Sequence, residues 1–532
     1  MQTVSQAWKE AHKQTLLNES DVEVALDIAD PDALAGVESS DNGSAYISDT
    51  PEVTSEVDTP TISYGTLEQN IWVLNDTRKS IPDSNYKDGG YVGDVLSNAE
   101  GAFNIKIPTI TLEFKEVFTH IIPGVTITWG TAYGEYATHF IVTAYNGDTI
   151  VATKEIYDND KVISVVTLDI VNYNRITIQV LRWCLPNHRA RVDEIFVGWH
   201  HIYSKSKLIS YTHKQTVDPI STALPKAEIK FAIDNSDGAY NPYNLNGLSK
   251  YLMERQKVQT RYGLKLDGNT MEWINGGTFY LSEWYAKQNG LTADFAARDV
   301  LEFMSAHYKD TVSKVTQRTL SSLANEVLTM ANLPLTDTGE RNWELNFGRL
   351  SSISTNAPIP DDTIANCLQL IANAGRCVLY VDRNGKLHIE PIGETNDEYV
   401  MTSFNTYSKP EISLSKSLKA VVVKCYTYTD GEKGIESSTK DVTISIGTDG
   451  EIITIDNPLI TSEDMAQDVG EWVGNYLKNR MTLKADMRAD VRLDALDKIT
   501  NEHEYGSNNV CVTDVEYKFN GAFRGNVEGR VI

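Results

Sequence analysis

Apolar positions recur along this chain with two periods, and the changes of period mark its parts. A stripe of Val4, Ala7, Trp8, Ala11 and Leu16 predicts a short helix over residues 3–18. Alternation in VEVALDI, with Val22, Val24, Leu26 and Ile28 on one side, predicts a strand at 22–28. Residues 37–63 then lose any period. They are rich in Ser, Thr, Asp and Glu and hold the turn signal Ser40-Asp41-Asn42-Gly43. They read as an extended linker that orders only against a partner. Together these pieces form an N-terminal helix and arm, residues 1–63, too polar to make a core alone.

The next stretch, 64–202, has the strand period throughout. Short apolar runs such as TITLEF (109–114), GVTITWG (124–130) and RITIQVLRW (175–183) are separated by turn formers. Phe140, Val142 and Ala144 alternate before Asn146-Gly147, and Ile150 and Ala152 after it, which is a hairpin signal. Regular short strands without a helical period imply a sandwich or barrel. A second β unit spans 203–304, with Ile229, Phe231 and Ile233 on one face. Turns are expected at Asp267-Gly268 and Asn289-Gly290.

Residues 305–410 switch to a helical and mixed pattern. Leu320, Leu323, Ala324, Val327, Leu328 and Ala331 share a helical face, and Pro334 stops the run. A second helix is expected over 363–374, capped by Asp361 or Asp362 and ended by Gly375. A hairpin follows, with Asn384-Gly385 at its turn. Residues 411–532 form a third β unit with one inserted helix, 462–479, carrying Met465, Val469, Trp472, Val473 and Tyr476. Its last hairpin turns at Asn520-Gly521. The fold class is therefore mainly β and multidomain.

At about 100–200 residues per domain, 532 residues accommodate three to five domains. The formal charge of −25 repels DNA phosphates and anionic membranes, so specific nucleic-acid binding is not expected. Such a charge suits plain solubility, and equally a surface that DNA slides past. Cys184, Cys367, Cys377, Cys425 and Cys511 are scattered and odd in number, which fits reduced thiols made in a cytosol rather than a disulfide framework or a zinc site. The first residues carry charges throughout and do not read as a signal peptide. No window approaches the ~18 unbroken apolar residues of a membrane span.

Candidate chemistry is sparse. There is no G-x-S-x-G, H-E-x-x-H, Walker or G-x-G-x-x-G motif. His503-Glu504 lacks a second His. The loop beginning Asp234-Asn235-Ser236-Asp237-Gly238 would need Glu at its twelfth position and has Leu245, so it reads as a turn. His200 and His201 are adjacent in a strand and point to opposite faces. Arg189 and Arg191 read as structural partners of Asp193 or Glu194. Trp72, Trp129, Trp183 and Trp199 either fill a sandwich core or offer aromatic faces to a sugar. No catalytic residue, metal ligand or cofactor site is assigned, and enzyme activity is not expected.

Three segments carry family resemblances. IPDSNYKDGGYVGDVLS, the ITLEF strand and ARVDEIFVGW make 64–202 resemble a discoidin-like, galactose-binding-like jelly roll. VDPISTALPKAEIKFAIDNSDGAYNP, KYLMERQKVQTRYG, WINGGTFYLSEW and FAARDVLEFM make 203–304 similar to the first domain of tail hub proteins in bacteriophages and prophages of Gram-positive bacteria. VRLDALDKIT and VCVTDVEYKFNGAFRGNVEGRV resemble the last strands of the same family. The hub resemblance covers 203–532.

It implies two tail-tube-like β domains linked by a helical insert. It also implies a homotrimeric ring that mates to a sixfold tube and opens for DNA, in contact with the distal tail or tube protein, the tape-measure protein and other baseplate proteins. The implied location is the virion tail tip, and the negative charge would suit the lumen. Two departures stand out: the jelly roll ahead of the hub, and no lytic or fibre extension after it. The alternative is an adhesin that binds host-surface glycan through 64–202. A cell-wall hydrolase, needing paired carboxylates in a cleft, is a third reading.

Overall fold

The computed structural model describes the chain except for residues 15–17, 42–47, 49–52, 55–67, 69–89, 267–269, 288–289, 335–340, 394–398 and 433. Leu16, the Asn42-Gly43 turn, Trp72, the segment 81–89 and the turn residues Asp267-Gly268 and Asn289 lie outside the described residues. Among those described, strand predominates and is divided over several sheets. Three large cores result.

The first core lies under a sheet of 13 strands. Its order along the path is Gly198–Tyr203, Ser20–Ala29, Lys257–Lys265, Met271–Ala286, Thr292–Arg298, Lys226–Asp234, Leu208–Thr216, Gly506–Phe519, Phe523–Val531, Met481–Met487 and Glu411–Leu414. Lys498–His503 branches from Gly506–Phe519. The parts expected as two separate tube-like β domains are thus one continuous sheet.

The N-terminal arm needs correction. Ser20–Ala29 is an inner strand paired on both sides, and Val22, Val24, Leu26 and Ile28 are fully buried. The preceding helix is shorter than expected, Gln6–His12, with Ser5 as its cap and Trp8 and Ala11 buried. The polarity of 37–63 obscured this. The alternating strand 22–28 is a core element on its own evidence, and it required a distant partner, Lys257–Lys265, to become one.

The second core is the sandwich. A four-stranded sheet (Tyr91–Leu96, Arg189–Phe196, Ile122–Trp129, Ile163–Ile170) faces a five-stranded one (Val37–Asp41, Thr109–Phe118, Tyr173–Trp183, Ala137–Asn146, Thr149–Ile156). Asn146-Gly147 turns the expected hairpin, with Gly147 at φ +58°. The 37–41 segment read as linker is an edge strand here, paired to Thr109–Phe118.

The sandwich is an insertion at the tip of a hairpin. The chain leaves the large sheet at Ala29 and returns at Gly198, and these two residues are opposite each other in the ladder. Lys250 and Tyr251 of the large-sheet unit hold Asp169 of the sandwich, Lys250 at 2.7 Å.

The third core joins the middle segments. The helix Leu320–Ala331 has its expected face buried, and Ile364–Ala374 packs beside it. The latter is capped by Thr363 rather than by Asp361 or Asp362: its hydroxyl accepts from Asn366 N–H, while Asp362 accepts from the Asn366 side chain. Residues 418–477 also belong to this core rather than to the last β unit. Leu418–Gly431, Gly434–Ser445 and Glu451–Ile455 form their own three-stranded sheet, covered by the helix Glu463–Leu477. Gly470 and Gly474 let that helix sit close: a Cβ at either would lie 2.3 Å from an isoleucine side chain, Ile444 or Ile446.

The paired entry and exit make a prediction. Antiparallel partners lie about 4.5–5.5 Å apart, a gap that a two-residue turn spans. Replacing residues 30–197 by Asn-Gly should leave a soluble chain with a β-type far-UV circular dichroism spectrum and one cooperative melt. Aggregation with loss of that spectrum would count against the insertion.

Candidate assembly interface

Two β units far apart in sequence meet along one seam. Leu208–Thr216 pairs antiparallel with Gly506–Phe519, from Tyr211 opposite Phe519 to Thr216 opposite Asp514. Alternation sends Tyr211, His213, Gln215, Val515, Tyr517 and Phe519 into the core, all buried. Thr212, Lys214, Thr216, Asp514, Glu516 and Lys518 take the opposite face. There Lys214 stands across from Glu516, and the Thr216 hydroxyl donates to Asp514 at 2.6 Å.

The core side of the seam is polar as well as aromatic. The hydroxyls of Tyr211 and Tyr262 lie 2.9 Å apart, and His213 Nδ1 lies 2.8 Å from the Tyr262 hydroxyl. The Tyr517 hydroxyl faces the carbonyls of Asp490 and Leu493, each at 2.8 Å. Burial pushes all three tyrosines above their usual range.

Arg383 fills the centre. It comes from the middle segment, at the turn of the hairpin Val378–Val381/Leu387–Glu390, where Asp382 caps the turn by accepting from Asn384 and Lys386 N–H. Its Nε donates to Asp494 Oδ1 at 2.7 Å. Its Nη1 donates to the Asn275 carbonyl at 2.9 Å, and its Nη2 to the carbonyls of Val491 and Leu493 at 2.7 and 3.1 Å. The guanidinium also lies 5.6 Å from the Tyr262 ring. One side chain thus holds the insert, the first half and the second half. Burial works against its charge, but Asp494 and the neighbouring tyrosines outweigh that and hold it above its ordinary range. His213 is driven the other way, down to about 3, by burial first and by the Arg383 charge second. It is neutral at pH 7.

The residues singled out in the sequence do not gather at a site. Trp129 and Trp183 are buried in the sandwich core as an edge-to-face pair with centroids 6.0 Å apart. Trp183 Nε1 donates to buried Glu135, which also pairs with buried His188. Trp199 lies in the large sheet near Tyr251. Arg189 and Arg191 both reach Glu68, at 3.3 and 2.9 Å. Asp193 accepts from Thr131 N–H and also feels the Arg191 charge.

His200 pairs with Asp27 at 2.6 Å, and His201 lies by Tyr203 and Trp199. The 234–248 loop is a chain of turns, with Asn235 Oδ1 accepting from Tyr240 N–H. His503-Glu504 sits at the end of a tight hairpin. Among the described residues no three His, Cys, Asp or Glu side chains are grouped to hold a metal. No described helix is long and apolar enough to cross a membrane.

The net charge of −25 is unevenly distributed along the chain. Residues 198–304 hold 12 Lys and Arg against 11 Asp and Glu, and 478–532 hold nine of each. The excess acid lies elsewhere: eight acids and no base in 30–63, and 11 acids against four bases in 418–477. The seam units are charge-balanced.

No protein-family model matches the sequence, and no curated protein matches it. Solved structures do show similarity. The 43 kDa tail protein of prophage MuSo2 from Shewanella oneidensis is 11% identical, with a TM-score of 0.41, over 62% of this chain and 95% of that one. A tail protein from Neisseria meningitidis MC58 is 10% identical, with a TM-score of 0.42, over 63% and 93%. Prophage tail protein gp18 from Listeria monocytogenes EGD-e is 13% identical, with a TM-score of 0.37, over 62% and 91%. All three are described as tail proteins.

Two predictions follow from the seam. Arg383→Ala takes the cation from partly buried Asp494 and the donors from the carbonyls of Asn275, Val491 and Leu493, and should cost about 3–5 kcal/mol, read by urea denaturation. Arg383→Lys should recover only part of this, because a single ammonium cannot reproduce the fork of donors. For His213, the unfolded imidazole takes a proton near pH 6.5 and the folded one only near 3. Its contribution is fully present above pH 6.5 and is lost as pH falls from 6.5 towards 3. His213→Gln should therefore flatten the stability profile in that window, and an unchanged acid slope would contradict this.

Proposed function

We propose that this chain is a structural hub subunit at the distal end of a phage or phage-like tail. Three copies form a ring that continues or closes the tail tube and lets DNA pass, without enzymatic turnover. One observation carries the reading. Two β units far apart in sequence are fused edge to edge into one sheet, and Arg383 of the insert is clamped into both. Each chain then presents two adjoining β units as a single arc, the geometry a threefold ring needs to face a sixfold tube. The family resemblance of 203–304 and of the last hairpin points the same way.

The partners of such a hub are the distal tail or tube protein, the tape-measure protein and other baseplate proteins, and its location is the virion tail tip. DNA passage in this reading does not depend on an acidic lumen, since the two β units are charge-balanced. Trp129 and Trp183 are core residues and offer no face to a glycan.

Electron microscopy of the purified chain, with mass by light scattering, tests the reading. Threefold rings with a central opening and three times the 59.3 kDa of one chain are expected. A chain that stays monomeric both alone and with its tube protein would overturn it.

A further inference from the structure

The large sheet ends on the second half at Glu411–Leu414, a strand that pairs with Met481–Met487 on one side and with no strand among the described residues on the other. Ile412 stands opposite Leu483, which is buried in the first core. Ile412 and its neighbours Leu414 and Met481 face the same way but are 48%, 65% and 40% exposed. The apolar core therefore runs out to this edge and stops uncovered. An uncovered apolar edge is what sheets ordinarily protect.

The opposite face of the same strand differs. Glu411 and Ser413 line a cleft of about 760 Å³. Its floor is the polar face of the sheet, with Lys484, Glu528 and Asp514. Its walls are the 217–224 connection, including Ile220, and the end of the 418–477 unit, including Ile453. Lys484 is taken by Glu528, and Arg530 donates to the Asn479 carbonyl. Glu411 stands across from Lys484 in the ladder, and among the described residues neither Glu411 nor Asp514 forms an ion pair. The wall beside them belongs to the segment with 11 acids against four bases.

We propose that this edge and cleft accept an extended segment of another protein as an added strand, with apolar and basic residues alternating along it. Backbone N–H and C=O groups of Glu411–Leu414 would supply the pairing. The apolar side chains would cover Ile412, Leu414 and Met481, and the basic ones would enter the cleft towards Glu411. Period two in a strand delivers the two sets to opposite faces, so one edge reads both. The acidic 418–477 unit steers such a segment in. The inference rests on the edge and cleft and not on the hub reading, so a ring that forms without binding such a strand would defeat this proposal alone.

The test uses the full chain and two fluorescein-labelled peptides, acetyl-Val-Lys-Val-Lys-Val-Lys-Val-amide and its Val-Glu counterpart. Anisotropy at low salt should show the Lys peptide binding at least about tenfold more tightly, with salt weakening it. Hydrogen exchange should show new protection at 411–414. Glu411→Lys and, separately, Leu414→Asp should each weaken binding by about tenfold or more with unchanged melting, because both side chains are exposed. Equal binding of the two peptides, protection elsewhere, or indifference to both variants would overturn the proposal. So would a chain that self-associates through this edge, losing its dimer in Leu414→Asp, while the Lys peptide fails to bind.

Discussion

The structure turns on one buried cation. Arg383 sits where three parts of the chain meet, and its three nitrogens donate to Asp494 and to the carbonyls of Asn275, Val491 and Leu493. A charge in such a place is costly unless every donor is satisfied. Here the carbonyls of Asn275, Val491 and Leu493 satisfy it, so those loops must hold their positions together. The arrangement also fixes the state of its neighbours. Burial first, and the Arg383 charge second, keep His213 neutral and able to share a hydrogen bond with Tyr262. The aromatic seam is therefore organised around a charge that the insert delivers.

That constraint explains why the two β halves behave as one body. A ladder of six residue pairs joins Leu208–Thr216 to Gly506–Phe519, and strands this short leave room for register error. The alternation of Tyr211, His213 and Gln215 against Phe519, Tyr517 and Val515 removes that freedom. A shift by one residue would bury Lys214 on one strand, or Glu516 and Lys518 on the other. The polar network then locks the pairing from inside, and the insert is tied to the seam rather than merely attached to it.

The sandwich follows a looser rule. It enters and leaves the large sheet through one ladder step, Ala29 opposite Gly198, so it can be carried without disturbing the order of the strands that follow. Its own core is complete, with Trp129, Phe140 and Trp183 packed together. Its attachment to the large-sheet unit includes Asp169 with Lys250 and Tyr251.

The sequence alone determined the local elements. The helical faces at 320–331 and 364–374, the Asn146-Gly147, Asn384-Gly385 and Asn520-Gly521 hairpins and the mainly β class were all legible, because period and turn chemistry act over a few residues. It also determined that no familiar catalytic motif is present. What tertiary structure decided is who pairs with whom. The alternating residues 22–28 read the same whether the strand stands alone or inside a sheet. Only Lys257–Lys265 and Gly198–Tyr203 make it an inner strand. Residues 418–477 carry ordinary strand and helix patterns, and only packing against the middle helices assigns them away from the last β unit. Arg383 lies in an unremarkable D-R-N-G turn. Its importance comes from carbonyls more than 100 residues away in either direction, and no local pattern records a contact of that range.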